Sequence, residues 1–209
     1  MQKCYIITAY IEGALSQIIS PDESDFIICA DGGYKKAIFY NLKPNIVIGD
    51  FDSYQKKAPH DEDTTFLRYP AEKDESDTFL CVEYAIQQGF DEIIIAGGIG
   101  GRLDHTFSNL QILARFAEKV KKITMLDEKN FVTLLENGRL TIPKREGWCV
   151  SIFSLSDVSY GVTTEGLFYP LRDATLWNTY PLGLSNVFCE DIAWVEVKSG
   201  KLLVILSKD

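Results

Sequence analysis

Asp50 and Asp52 stand two positions apart in Gly49-Asp50-Phe51-Asp52-Ser53, directly after the apolar run Ile46-Val47-Ile48. In an extended segment this alternation directs both carboxylates to one side. Paired hard oxygen donors suit Mg²⁺, which takes one or two carboxylates together with water and substrate phosphate oxygens. A solvated turn is the plainer reading, because Gly-Asp and Asp-Ser are ordinary loop chemistry. A second acidic group, Lys73-Asp74-Glu75-Ser76-Asp77, precedes an amphipathic stretch. Asp74 or Ser76 can cap a helix there, and acidic side chains favour its positive end by about 0.3 to 1 kcal/mol. The chemical reading makes Asp77 a further metal ligand, with Asp74 a candidate beside it, and turns Lys73 toward a phosphate.

A third group, Gly97-Gly98-Ile99-Gly100-Gly101-Arg102-Leu103-Asp104-His105, lies between a strand-like and a helix-like segment. Glycines at 97, 98, 100 and 101 let backbone N–H groups approach a phosphate, and the helix start that follows favours anions. Arg102 adds a forked donor for phosphate oxygens. The spacing matches neither the P-loop nor the dinucleotide fingerprint. The bland alternative is a tight turn in which Arg102 and Asp104 pair with each other or face solvent. His105 and His60 are the only histidines and lack a metal-ligand partner at helical spacing, so His105 is read as ordering the loop. Asn109, one helical turn on, can face the same cleft.

These groups need a scaffold that brings them together. Ile27-Ile28-Cys29-Ala30 runs into Asp31-Gly32-Gly33, Ile46-Val47-Ile48 into Asp50, and Ile93-Ile94-Ile95-Ala96 into Gly97-Gly98. Open parallel sheets bind ligands outside the carboxyl ends of their strands, so loops distant in sequence converge there. The pattern fits. Through about residue 128, buried strands (Cys4 to Thr8, Phe26 to Ala30, Ile46 to Ile48, Ile93 to Ala96, Ile123 to Leu126) alternate with helices. One helix, Thr78 to Gln88, places Phe79, Val82 and Ile86 on one face; another, Thr106 to Val120, places Phe107, Leu110, Leu113, Ala117 and Val120 on one face. Such alternation predicts a mostly parallel sheet flanked by helices.

After Asn137-Gly138 the helical period disappears. Trp148 to Leu155, Tyr160 to Thr164, Ile192 to Val197 and Leu202 to Leu206 read as short strands, with Lys198-Ser199-Gly200-Lys201 as a hairpin connection. The expected architecture is an α/β domain over residues 1–130 and an all-β sandwich or partial barrel over 138–209, with the boundary between Glu128 and Pro143. Trp148, Trp177 and Trp194 are expected to pack.

A formal net charge of −9 over 209 residues opposes binding to a nucleic acid. It tolerates a small cationic ligand, and a small anion once a metal reverses the local sign. Apolar runs are strand-sized, no membrane span is expected, and the start of the chain has no secretory pattern, which points to the cytoplasm. Cys4, Cys29, Cys81, Cys149 and Cys189 show no pairing pattern and are expected as buried thiols.

Taken in order, Ala30-Asp31-Gly32-Gly33, Gly49-Asp50-Phe51-Asp52-Ser53, Lys73-Asp74-Glu75-Ser76-Asp77 and Gly97 to His105 resemble the signature of thiamine pyrophosphokinases. The resemblance implies an N-terminal α/β catalytic domain, a C-terminal β-sandwich that joins two subunits into a homodimer, and active sites where the subunits meet. It makes Asp50, Asp52 and Asp77 the Mg²⁺ carboxylates. Asp31, Arg102 and Asp104 belong to the nucleotide and phosphate site, with Gly32, Gly33, Lys73, the loop glycines, His105 and Asn109 beside them. Gly166-Leu167-Phe168-Tyr169-Pro170-Leu171 is similar to the family's aromatic segment and Leu184-Ser185-Asn186 to its Ser-Asn loop, so Tyr169, Leu171, Ser185 and Asn186 are candidates for thiamine. Aromatic faces attract cations and stack on flat heterocycles, whereas core or interface packing is the equal alternative for Tyr169. The implied reaction is attack of the thiamine hydroxyl on the β-phosphorus of ATP, with AMP leaving and Asp77 or Asp104 accepting the proton. The rival readings are a metal-dependent nucleotide hydrolase and a non-enzymatic nucleotide-binding regulator.

Overall fold

The computed structural model describes residues 2–51, 63–72 and 74–209; Asp52, His60 and Lys73 lie outside them. The chain divides into two compact units, Met1–Glu128 and Lys129–Asp209.

The first unit is built on strands β1 (Cys4–Ile7), β2 (Phe26–Ala30), β3 (Ile46–Gly49), β4 (Thr65–Arg68), β5 (Glu92–Ala96) and β6 (Lys122–Leu126). They lie in the order β6-β5-β1-β2-β3-β4 and every pairing is parallel. Ile6, Ile28, Ile48, Ile93 and Ile95 are buried, because helices cover the sheet and β-branched side chains suit a strand enclosed on both faces. Helices α1 (Leu15–Ile18), α2 (Gly33–Phe39), α3 (Asp77–Gln87) and α4 (Leu103–Phe116) fill the connections. Chain order reverses between β1 and β5, and a crevice opens at such a switch point. The edge strand β4 has exposed or half-buried side chains throughout and therefore no apolar run to announce it.

Helix α4 departs from the expected face. Its buried residues are Asn109, Ile112, Leu113 and Phe116, whereas Phe107 is 62% exposed. The apolar set centred on Phe107 and Leu110 is thus rotated away from the true contact stripe, which has the helical spacing of residues 109, 112, 113 and 116.

The second unit contains β7 (Asn130–Pro143), β8 (Cys149–Ser154), β9 (Val158–Glu165), β10 (Ala174–Trp177), β11 (Asn186–Val187) and β12 (Ile192–Ser207). All of its pairings are antiparallel. The expected hairpin at Lys198-Ser199-Gly200-Lys201 is absent. One strand runs through it, paired with β7 on both sides of a register shift between Val197 and Lys201. This is a bulge, pinned where the Gly200 N–H donates to Asn137 Oδ1 at 2.9 Å. Across it the inward positions pass from Ala193, Val195 and Val197 to Leu202, Val204 and Leu206, so the core face survives the shift. The edge of β12 away from β7 pairs with β9 over its first part and β8 over its second, which closes two layers around Val150, Ile152, Val162 and Leu176. Trp148 packs on this core and Trp194 stacks on the Arg139 guanidinium at 3.9 Å, whereas Trp177 is 49% exposed and does not pack as expected. Among the cysteines, Cys4, Cys29 and Cys81 are buried, Cys149 is half-buried, and Cys189 is exposed rather than enclosed. No described helix is long and apolar enough to cross a membrane.

A Cβ on Gly33 would lie 2.0 Å from the Ile7 carbonyl oxygen, so α2 approaches the end of β1 only because this residue is glycine. Gly33→Ala is expected to lower the unfolding free energy by about 1–3 kcal/mol, as for other overpacked sites. Urea denaturation checks this, and an unchanged midpoint would contradict the close approach.

Candidate active site

A cleft of about 440 Å³ opens over the carboxyl ends of β1, β2, β3 and β5 and the start of α3. Four carboxylate residues line it: Asp31 after β2, Asp50 after β3, Glu75 just before α3 and Asp77 at the start of α3. Asp31 takes a left-handed φ of 37°, a region that Asp enters more readily than most residues, and its N–H donates to the Ile48 carbonyl at 2.8 Å. A Cβ on Gly49 would come within 2.8 Å of the Asp31 Cβ, so that glycine makes room for the carboxylate. The Asp50 carbonyl accepts from Arg68 Nε at 3.2 Å, which ties β4 to the loop. Phe51 has a φ of 62°, so the segment is not extended at that residue. Phe51 is buried, 5.8 Å from the Phe66 ring, and this packing sustains the turn.

Ser76 caps α3: its hydroxyl accepts from the Phe79 N–H at 3.2 Å. That assigns the cap to Ser76 rather than Asp74 and places Asp77 in the first turn, where the helix dipole favours a carboxylate. Asp74 is exposed and does not line the cleft.

The glycine loop forms the opposite wall through Gly98, Gly100 and Arg102. Gly97 and Gly98, with φ of 84° and 77°, donate from their N–H groups to the carbonyls of Leu126 and Tyr10, each at 2.8 Å. Asn109 is 6% exposed and donates from Nδ2 to the Gly98 carbonyl at 2.9 Å. The Gly100 N–H donates to Thr106 Oγ1 at 3.0 Å, and His105 also reaches the cleft. Gly32, Gly33, Gly97, Gly101 and Asp104 do not line it. Gly32 and Gly33 instead form the start of α2.

Arg102 and Asp104 pair with each other, Nε to Oδ1 at 3.1 Å and Nη2 to Oδ2 at 2.5 Å. This hydrogen-bonded guanidinium holds the Asp104 carboxyl below the ordinary carboxylate range, the His105 N–H adding to the effect, and the carboxylate raises the guanidinium in turn. Both side chains remain largely in solvent, so the pair is readily exchanged for a phosphate partner.

Two residues of this wall carry no motif signal. Thr8 Oγ1 sits 3.0 Å from the carbonyls of both Tyr10 and Ala96, joining the ends of β1 and β5, and Tyr10 lines the cleft beside them. Only the position just beyond a strand, at the switch point, could have pointed to them.

Among the described residues no three His, Cys, Asp or Glu side chains form a ready-made metal cage. The donors are nonetheless hard oxygens from Asp31, Asp50 and Asp77 on one cleft. That fits Mg²⁺, which completes its shell with water and substrate phosphate.

In the second unit Asn186 is 8% exposed and clamps the backbone of Tyr169, accepting from its N–H at 3.0 Å and donating to its carbonyl at 2.7 Å. The Tyr169 side chain is 68% exposed. Leu171 packs on the core with its N–H on Thr164 Oγ1, and the Ser185 N–H donates to Ser151 Oγ. Asn186 thereby serves to present Tyr169.

A parallel α/β unit with an acidic, glycine-walled cleft at its switch point, followed by a separate antiparallel unit, defines a protein of the nucleotide-site class. The chain belongs to the thiamine pyrophosphokinase family. The family model for the thiamin pyrophosphokinase catalytic domain matches residues 20–125, and that for the vitamin B1 binding domain matches residues 139–202. It is 29% identical over 192 residues to the thiamine pyrophosphokinase of Bacillus subtilis, covering 90% of each. The crystal structure of thiamine pyrophosphokinase from Bacillus subtilis superposes with a TM-score of 0.85 at 26% identity, covering 100% of both chains. A thiamin pyrophosphokinase family protein from Enterococcus faecalis superposes at 0.86, with 26% identity and 100% of both chains covered.

In a carboxyl-resolved NMR titration, Asp104 is expected to titrate below an ordinary aspartate and Arg102→Ala to bring it back up. Identical titration in both proteins would show that the pair does not form.

Proposed function

We propose that the chain transfers a diphosphate group from ATP to the hydroxyl of thiamine, releasing AMP. The observation that carries this is the meeting of Asp31, Asp50 and Asp77 with the glycine loop on one cleft, in a chain that matches both domains of the family. The hydroxyl oxygen attacks the β-phosphorus, the bond from that phosphorus to the oxygen bridging it to the α-phosphorus breaks, and the electron pair leaves on AMP. Alignment and charge stabilisation supply most of the catalysis in such transfers.

Mg²⁺ would be held by Asp50 and Asp77, with Asp52 a further ligand, and when bound it neutralises phosphate charge. Asp31 would face the nucleotide, and Arg102 would donate to phosphate oxygens once it exchanges Asp104 for them. Between the two candidate proton acceptors the geometry favours Asp77, because it lines the cleft whereas Asp104 does not. Tyr169, presented by Asn186, would offer a flat face to the cationic thiazolium or to the pyrimidine.

A homodimer is part of the same proposal, supported by exposed Phe168, Tyr169 and Leu184 on the second unit. A cytoplasmic setting is part of the same proposal, supported by the sequence spacing of the five cysteines, which shows no pairing pattern. The comparisons favour neither the hydrolase nor the regulator.

Incubation of the protein with Mg-ATP and thiamine is expected to give thiamine diphosphate and AMP by mass spectrometry. AMP and diphosphate without thiamine consumption would identify a hydrolase instead. Asp50→Ala and Asp77→Ala are each expected to lower kcat at least about a hundredfold while circular dichroism stays unchanged. Near-normal turnover in both would remove their metal role.

A further inference from the structure

Tyr10 lies just beyond the central strand β1, beside β5 at the point where strand order reverses. Its backbone and its ring both engage the glycine loop. The Tyr10 carbonyl accepts from the Gly98 N–H at 2.8 Å, and a Cβ on Gly97 would lie 2.3 Å from that oxygen. The ring lies across the next two glycines: a Cβ on Gly100 would meet Cε1 at 3.1 Å, and one on Gly101 would meet Cε2 at 2.8 Å. Both glycines have positive φ, 88° and 63°, so ring and loop fit because neither position carries a side chain. Core packing does not account for the aromatic group, since Tyr10 is 45% exposed and lines the cleft. From the other side Thr106 and Asn109 of α4 hold Gly100 and Gly98. The loop is therefore gripped between α4 and Tyr10.

We propose that Tyr10 is a positioning residue of the nucleotide site, its ring and carbonyl holding the Gly97 to Gly101 loop in the shape that receives phosphate. The inference rests on the diphosphotransferase reading for the identity of the nucleotide. A flat ring limits how far Gly100 and Gly101 can move, so the loop that leads into Arg102 is pre-set before the ligand arrives, and binding does not have to order it.

The test compares wild type, Tyr10→Phe, Tyr10→Leu and Tyr10→Ala as full chains, by steady-state kinetics, calorimetric titration with Mg-ATP and thermal melting. Tyr10→Ala and Tyr10→Leu are expected to raise the KM and Kd for Mg-ATP roughly tenfold while the thiamine KM stays within about twofold. Tyr10→Phe, which keeps the ring, is expected to behave as wild type. Should Tyr10→Ala fail to fold, Tyr10→Leu retains apolar bulk without the flat ring and carries the comparison. Unchanged Mg-ATP Kd in the Ala and Leu variants would overturn the inference, as would a Phe variant impaired as severely as Ala. Wild type that binds Mg-ATP with this dependence on Tyr10 but makes no thiamine diphosphate would sink the acceptor assignment and leave the role of Tyr10 standing.

Discussion

Parallel pairing of the strands governs everything in the cleft. Because β1, β2, β3 and β5 run the same way and in register, the loops that leave them emerge on one edge, and residues from 31 to 109 become neighbours. Antiparallel pairing would send alternate loops to opposite edges. Small residues then decide how closely these loops approach. Gly33 lets α2 meet the end of β1, Gly49 admits Asp31, and Gly97 lets the glycine loop turn over the Tyr10 carbonyl.

That convergence creates an electrostatic problem that the chemistry then uses. Carboxylates brought into one cleft repel one another and favour a divalent cation between them. The N-terminus of α3 eases the repulsion at Asp77, with Ser76 completing the first turn. On the opposite wall, Arg102 stays paired with Asp104 in solvent, a cation kept in place without being committed to a buried partner. An acidic wall beside an exchangeable guanidinium suits a metal-bound polyphosphate better than a bare one.

Much of the first unit was legible because buried parallel strands announce themselves as apolar runs, and the polar and glycine residues at their ends mark the shared edge. Asp31, Asp50, Asp77, Gly98, Gly100, Arg102, His105 and Asn109 do meet on the cleft. What escaped is set by contacts distant in sequence. β4 is a half-exposed edge strand without an apolar signature. Lys198-Ser199-Gly200-Lys201 has turn composition, yet continuous pairing with β7 makes it a bulge, and only the partner strand distinguishes the two. The face of α4 was misjudged because a polar residue, Asn109, occupies a core-facing position in order to hold Gly98. Tyr10 gave no signal, since a lone aromatic residue after a strand has neither period nor motif.

The central claim is that nucleotide and divalent metal meet at the carboxyl edge of the first unit. Crystals grown with Mn²⁺ and a hydrolysis-resistant ATP analogue test it most directly. The expected result is an anomalous peak within coordination distance of Asp50 and Asp77 carboxylate oxygens, with analogue phosphates against the Gly98 to Arg102 loop. A metal and nucleotide bound away from that edge, with both aspartates unligated, would contradict the account.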